Sequence, residues 1–216
     1  MANTYLSRTF GSGGAPATLT WTISTWFKRS ILTGEHVFMS SYINANKYVV
    51  LKINGNNKFE FRVYNYADQW RYTTTMQFMD TSAWYHLVIS FDSTQATASE
   101  RVIIYINGER ITAFDASTTS GQNHNGDFNE AKLHTIGARN SADYFNGYMS
   151  DFNFISGTRY SATDFGETDT TTGEWRIKDM ATLNYGTNGF RILKDGNTIT
   201  DQSANSNNWT SSGAGI

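Results

Sequence analysis

The chain has 216 residues, 15% of them aromatic and 17% charged, with a formal net charge of -2 and no cysteine. These values exclude a disulfide framework, thiolate metal sites and a thiol nucleophile, and they argue against a sequence-independent grip on nucleic acid, which needs clustered Lys and Arg. One domain of this length buries roughly 70% of its unfolded surface, and the wealth of aromatics, Thr, Asn, Ser and Gly predicts many short strands joined by turns.

The opening "MANTYLSRTFGSGG" has no apolar stretch of signal-peptide length, and no segment approaches the roughly 20 apolar residues of a membrane span. A soluble chain made in the cytoplasm, without a membrane partner, is expected. "LTWTISTWFKRS" sets Trp21 and Ile23 against Thr20, Thr22 and Ser24, a period of two that predicts a half-buried strand, and "HVFMSSY" follows a Thr33-Gly34 turn. Tyr48 to Tyr64 reads as a hairpin in which "YVVLKI" and "KFEFRVY" flank "NGNN". There Phe59, Phe61 and Val63 fall on a dry face and Lys58, Glu60 and Arg62 on a wet one. "WYHLVISFD" and "RVIIYING" form the next pair, expected at the centre of the core. Val102 to Ile106 is apolar on both faces, which predicts a strand covered on both sides, and Asn107-Gly108 supplies a type I′ turn. Trp84 is placed in this central pair, so that truncating it to Ala is expected to cost roughly 3 to 5 kcal/mol. "LHTIGAR" and "GYMSDFNFISG" predict two more strands. No 3.6-residue period, internal repeat or linker is found. Residues 1–178 are assigned to one sandwich, and 179–216 to an appendage with one strand, "GFRIL", and a flexible Gly-rich end.

The order of these pieces resembles the laminin G-like branch of the concanavalin A-like lectin/glucanase superfamily. Trp84-Tyr85-His86-Leu87, Tyr105-Ile106-Asn107-Gly108 and the closing Phe145-Asn146-Gly147-Tyr148-Met149-Ser150-Asp151 carry the resemblance. It implies an all-β jelly-roll sandwich of two large antiparallel sheets. The opening "MANTYLSRTF", "ATDFGETDTTTGEWRIKD" and "YGTNGFRIL" are similar to virion-associated proteins of tailed bacteriophages. That narrower resemblance implies a virion structural role, as a capsid decoration or fibre component. Its partners would be other virion proteins and further copies of itself.

Glucanases of this fold carry acids in an E-x-D-x-x-E strand, where alternation puts the first two on one face, and the catalytic pair stands about 5 to 5.5 Å apart in retaining enzymes. Glu167-Thr168-Asp169 has the first spacing, but the next acid is Glu174 and "TTTG" reads as a turn. No catalytic residue is therefore assigned. His36, His86, His124 and His134 show no metal-ligand spacing. The resemblance implies a calcium option at loop oxygens, with Asn123 to Asp127 and Asn140 to Asp143 as the oxygen-rich candidates and no cofactor otherwise. Glycan binding needs exposed aromatics beside amides and carboxylates. Tyr66, Trp70, Tyr72, Asn140, Asp143 and Tyr144 are the candidate glycan or interface residues, and a place in the core is the alternative for the aromatics among them. A non-enzymatic virion protein acting through protein–protein contacts is the first reading, a lectin for host-surface glycans is the alternative, and a glycan hydrolase is the third and least favoured.

Overall fold

The computed structural model describes residues 3–13, 17–178 and 183–213. In chain order the strands are β1 (Tyr5–Thr9), β2 (Thr20–Arg29), β3 (His36–Asn44), β4 (Lys47–Ile53), β5 (Lys58–Asn65), β6 (Asp68–Gln77), β7 (Tyr85–Asp92) and β8 (Val102–Ile106). They continue as β9 (Glu109–Arg110), β10 (Phe114–Thr118), β11 (Leu133–Ile136), β12 (Gly147–Ser156), β13 (Gly166–Thr168), β14 (Trp175–Ile177), β15 (Phe190–Ile192) and β16 (Thr210–Ser212). Eight strands form one sheet in the order β10-β6-β5-β4-β3-β11-β1-β16, six form the other in the order β15-β12-β2-β7-β8-β9, and β13 pairs with β14 alone. The fold is the expected antiparallel jelly-roll sandwich.

Alternation sets both inner faces. Phe59, Phe61 and Val63 of β5 and Val49, Leu51 and Ile53 of β4 face Trp21, Ile23, Leu87, Ile89 and Phe91 of the six-stranded sheet in one core. Trp21 is its centre: it stacks on Phe91 at 4.8 Å and meets the edges of Phe61 and Phe128 at 5.7 and 5.3 Å. Val102 to Ile106 is covered on both sides as its unbroken apolar run requires, with Val102, Ile104 and Ile106 in the core and Tyr105 packed against a second, outer cluster. Asn107 and Gly108 both take positive φ, 49° and 86°, the type I′ geometry.

Two expectations are corrected. Trp84 precedes β7, whose inward positions are odd-numbered (Leu87, Ile89, Phe91), so Trp84 points outward and is 42% exposed. The segment 179–216 is not an appendage. Its predicted strand becomes β15, paired with β12, and a second strand, β16, pairs with β1, so the segment supplies an edge to each sheet. Phe190 and Trp209 are buried at 4.9 Å from one another, and Trp209 also meets Phe10. Asparagines of the segment are used for bonding. Asn188 exchanges hydrogen bonds with the backbone of Gly11, and Asn207 donates to the carbonyls of Thr187 and Gly189. The Gly-rich end, 214–216, lies outside the described residues.

Candidate functional site

The outer face of the eight-stranded sheet carries a row of tyrosines beside a chain of charged groups. Strand register places Tyr42 opposite Tyr48, and Tyr48 opposite Tyr64, so three tyrosines form a row across β3, β4 and β5. Their rings stack at 6.3 and 5.4 Å. The Arg62 guanidinium lies 4.7 Å from the Tyr64 ring centre and donates to the Tyr48 hydroxyl at 2.9 Å, while Arg139 lies 5.5 Å from the Tyr48 ring. Burial pushes the Tyr48 phenol up against the opposing pull of Arg62, so its hydroxyl stays protonated at neutral pH.

Beside this row runs an unbroken chain of ion pairs. It passes from Asp143 to Arg139 (2.6 Å), Glu35 (3.2 Å), Lys52 (2.5 Å), Glu60 (3.4 Å), Arg71 (3.1 Å), Asp68 (3.6 Å) and Arg62 (2.5 Å). Four carboxylates alternate with four cations, so the chain carries no net charge. Glu60, 3% exposed, also accepts from Thr73 at 3.0 Å. The wet face predicted for Lys58, Glu60 and Arg62 is therefore polar, but at Glu60 it is closed to water by its partners.

At the β11 end the face opens into a pocket of about 160 Å³ lined by Tyr5, Ser7, Tyr42, Thr135, Asn140 and Ser141. The loop that shapes it holds Asn140, Ser141 and Asp143 at φ of 51°, 56° and 50°, left-handed conformations that concentrate at functional sites. Three sequence candidates meet here: Asn140 lines the pocket, Asp143 ends the ion chain, and Tyr144 packs against Tyr5 at 6.3 Å. The other three do not join them. Trp70 and Tyr72 are core residues: they sit at inward positions of β6, with Trp70 donating to the Asn125 carbonyl and Tyr72 bonded to Thr119, and both are buried. Tyr66 is 75% exposed in the β5–β6 turn, away from the tyrosine row's stacking. Sequence reasoning missed Tyr42, Tyr48, Tyr64, Arg62 and Arg139. The hairpin register pairs Tyr48 with Tyr64 and could have identified those two, whereas Arg139 arrives from a distant loop and left no local signal.

Both loops considered for calcium have their carboxylates engaged by cations of the chain. Lys132 lies between Glu130 and Asp127, whose carboxyl is pushed up by burial, and Arg139 takes Asp143. Among the described residues no group of three His, Asp or Glu is disposed to hold a metal ion. Glu167 and Asp169 both pair with Arg176, at 2.9 and 3.0 Å, on the exposed β13–β14 hairpin. Backbone N–H groups of Thr172 and Thr171 hold the Asp169 carboxyl below its usual range, the opposite of what a general acid requires.

The chain belongs to the concanavalin A-like lectin/glucanase superfamily, whose Laminin_G_3 family model matches residues 7–164. No curated protein matches the sequence. Among solved structures, the chain is similar to a candidate carbohydrate-binding protein from Bacteroides ovatus, at a TM-score of 0.65 and 16% identity over 98% of this chain and 56% of the other. It is also similar to domain 4 of an extracellular arabinanase from Geobacillus stearothermophilus in complex with arabinotriose, at a TM-score of 0.50 and 15% identity over 71% of this chain and 72% of the other. The chain thus spans little more than half the length of the Bacteroides protein.

Proposed function

We propose that this chain is a non-catalytic carbohydrate-binding domain whose ligand lies across the outer face of the eight-stranded sheet. The observation that carries the proposal is the tyrosine row beside a self-neutralised ion chain, ending at the Asn140 pocket. Sugar rings present apolar C–H faces that pack on aromatic rings, and their vicinal hydroxyls suit the paired oxygens and nitrogens of carboxylates, guanidinium groups and amides. Arg62, Asp68, Arg139 and Asp143 supply such groups, fixed in place before any ligand arrives, which reduces the ordering cost of binding. Each charge is already matched, so the face favours neutral saccharides. The engaged carboxylates argue for binding without hydrolysis, which in this fold would need two free acids across a cleft. The two solved relatives, a candidate carbohydrate-binding protein and an arabinanase domain in complex with arabinotriose, support this ligand class.

Display on a tailed-phage particle, which resemblance at both ends of the chain implies, extends the proposal. Repeated copies would raise a weak single-site affinity through avidity, and host-surface glycan would be the target. The test is a glycan array probed with the purified chain in calcium and again in chelator, with product analysis of every glycan retained. Binding of uncleaved neutral glycans in both buffers supports the reading. A folded chain that retains no glycan, or that cleaves one, overturns it.

A further inference from the structure

The opposite broad face of the sandwich carries a second aromatic assembly. Outward positions of β2, β7 and β12 present Trp26, Lys28, His86, Tyr148 and Ser150, and Trp84 joins them from just ahead of β7. Part of this face is covered by the segment bearing β13 and β14, through the cluster of Val88, Ile155, Ala162, Phe165 and Tyr185. The remainder is an open groove of about 340 Å³ between Trp26, Trp84, Ser150, Trp175, Arg176 and Ile177.

Its walls are fixed. Trp26 stacks on His86 at 4.8 Å, and His86 on Trp175 at 6.0 Å. The Trp175 indole N–H donates to His86 Nδ1 at 2.9 Å, and because an indole nitrogen can only donate, Nδ1 carries no proton. The proton therefore sits on Nε2, which donates to Ser24 Oγ at 2.9 Å. The Trp175 ring also lies against two bare backbone positions: a Cβ at Gly108 or Gly166 would come within 2.7 or 2.5 Å of it. A surface hairpin thus holds an indole in one place, as a preformed binding wall requires.

The charges around the groove are unevenly placed. Arg176 has carboxylate partners in Glu167 and Asp169, whereas the Lys28 ammonium has none among the described residues and rests near the rings of Tyr148 (5.4 Å) and Trp84 (6.0 Å). A two-fold contact centred on Lys28 would bring two ammonium groups without carboxylate partners together. An anionic ligand with an apolar face matches it better. The volume falls within the range of small-molecule sites, whose walls are apolar with few polar groups to set orientation.

We infer that this groove is a second saccharide site, selective for a residue bearing a carboxylate, whose C–H face packs on Trp84 and whose carboxylate pairs with Lys28. The choice of a saccharide rests on the carbohydrate reading above, while the selectivity rests on Lys28 and the three tryptophans alone. The experiment is calorimetric titration of the full chain with trimers of galacturonate, mannuronate and guluronate, and with galactose and mannose trimers as neutral controls. At least one uronate trimer should bind, more weakly at higher salt. Trp84→Ala and Lys28→Gln should each lower that affinity about tenfold, and Tyr48→Ala should leave it unchanged. Both substitutions are at the surface, and Lys28→Gln alone decides the matter if Trp84→Ala lowers the folded fraction. Absence of uronate binding, binding that neither substitution weakens, or a dimer in sedimentation that Trp84→Ala dissolves would overturn the inference. Should uronate binding be absent, retention of neutral glycans on the array by the same preparation would show that the carbohydrate reading stands while this one fails.

Discussion

Arg62 and Arg71 lie directly opposite one another across β5 and β6, and Asp68 bonds Arg62 at 2.5 Å while approaching Arg71 at 3.6 Å. Like charges in register destabilise a strand pair unless a counter-charge sits between them. Asp68 is that counter-charge, and Glu60 holds Arg71 from the other side.

The ion chain should therefore respond unequally to neutralisation. Asp68→Asn, at a partly exposed position, is expected to cost about 1 kcal/mol, and Glu60→Gln, which leaves Lys52 and Arg71 facing a neutral buried amide, about 3 kcal/mol. Urea denaturation midpoints measure both. Equal and negligible effects would mean that the chain does not contribute to the sheet's stability.

Two tryptophans provide a contrast in burial. Trp21→Ala is expected to cost roughly 3 to 5 kcal/mol, because it empties the middle of the core, whereas Trp84→Ala should shift stability by no more than about 1 kcal/mol. The same denaturation series reports both, and a large loss from Trp84→Ala would contradict the outward register of β7.

The C-terminal segment should prove integral. Deleting residues 179–216 removes β15, β16, Phe190 and Trp209, and the truncated chain is expected to be insoluble or to lose its cooperative transition. Phe190→Ala in the full chain is expected to cost roughly 3 to 5 kcal/mol. A truncated chain with an unchanged thermal midpoint would restore the reading of the segment as an appendage.

Acid should weaken the fold through three histidines. Burial, with Arg29 adding to it at His36, lowers His36 to about 4 and His86 and His134 to about 3. At His36 and His86 one ring nitrogen is placed to accept, from the Asn146 N–H and the Trp175 N–H, which suits the neutral imidazole. The unfolded chain takes up these protons near pH 6.5 and the folded chain only near pH 3 to 4. Their contribution is thus complete above about pH 6.5 and is lost as pH falls, at up to about 1.4 kcal/mol per pH unit for each histidine. Denaturation midpoints from pH 7 to pH 4 measure the slope. His86→Gln should flatten it, and a stability independent of pH over that range would contradict the buried neutral state.

Legibility in the sequence tracked the range of the interaction. The Asn107-Gly108 turn, the alternation of Phe59, Phe61 and Val63, and the two-sided apolar run of Val102 to Ile106 are properties of consecutive residues, and each took its expected form. The order of such pieces also carried the family. Trp70 and Tyr72 stay open between core and ligand face in the sequence because a strand of period two hides or displays every side chain on a shift of one residue, and no strong alternation marks β6. Trp84 failed for the same reason of register. The ion chain joins Glu35 to Arg139 and Lys52 to Glu60 across strands and loops, and the tail's amide bonds reach back to Gly11, so neither leaves a local pattern.

The most direct test of the central claim is titration of a neutral oligosaccharide retained on the array into wild-type chain, Tyr48→Ala and Trp84→Ala, with chelator present throughout. Wild type and Trp84→Ala are expected to bind alike, and Tyr48→Ala, which interrupts the tyrosine row and removes one of the acceptors of Arg62, to bind about tenfold more weakly. Equal binding by wild type and Tyr48→Ala would place the sugar away from the eight-stranded face and contradict the account.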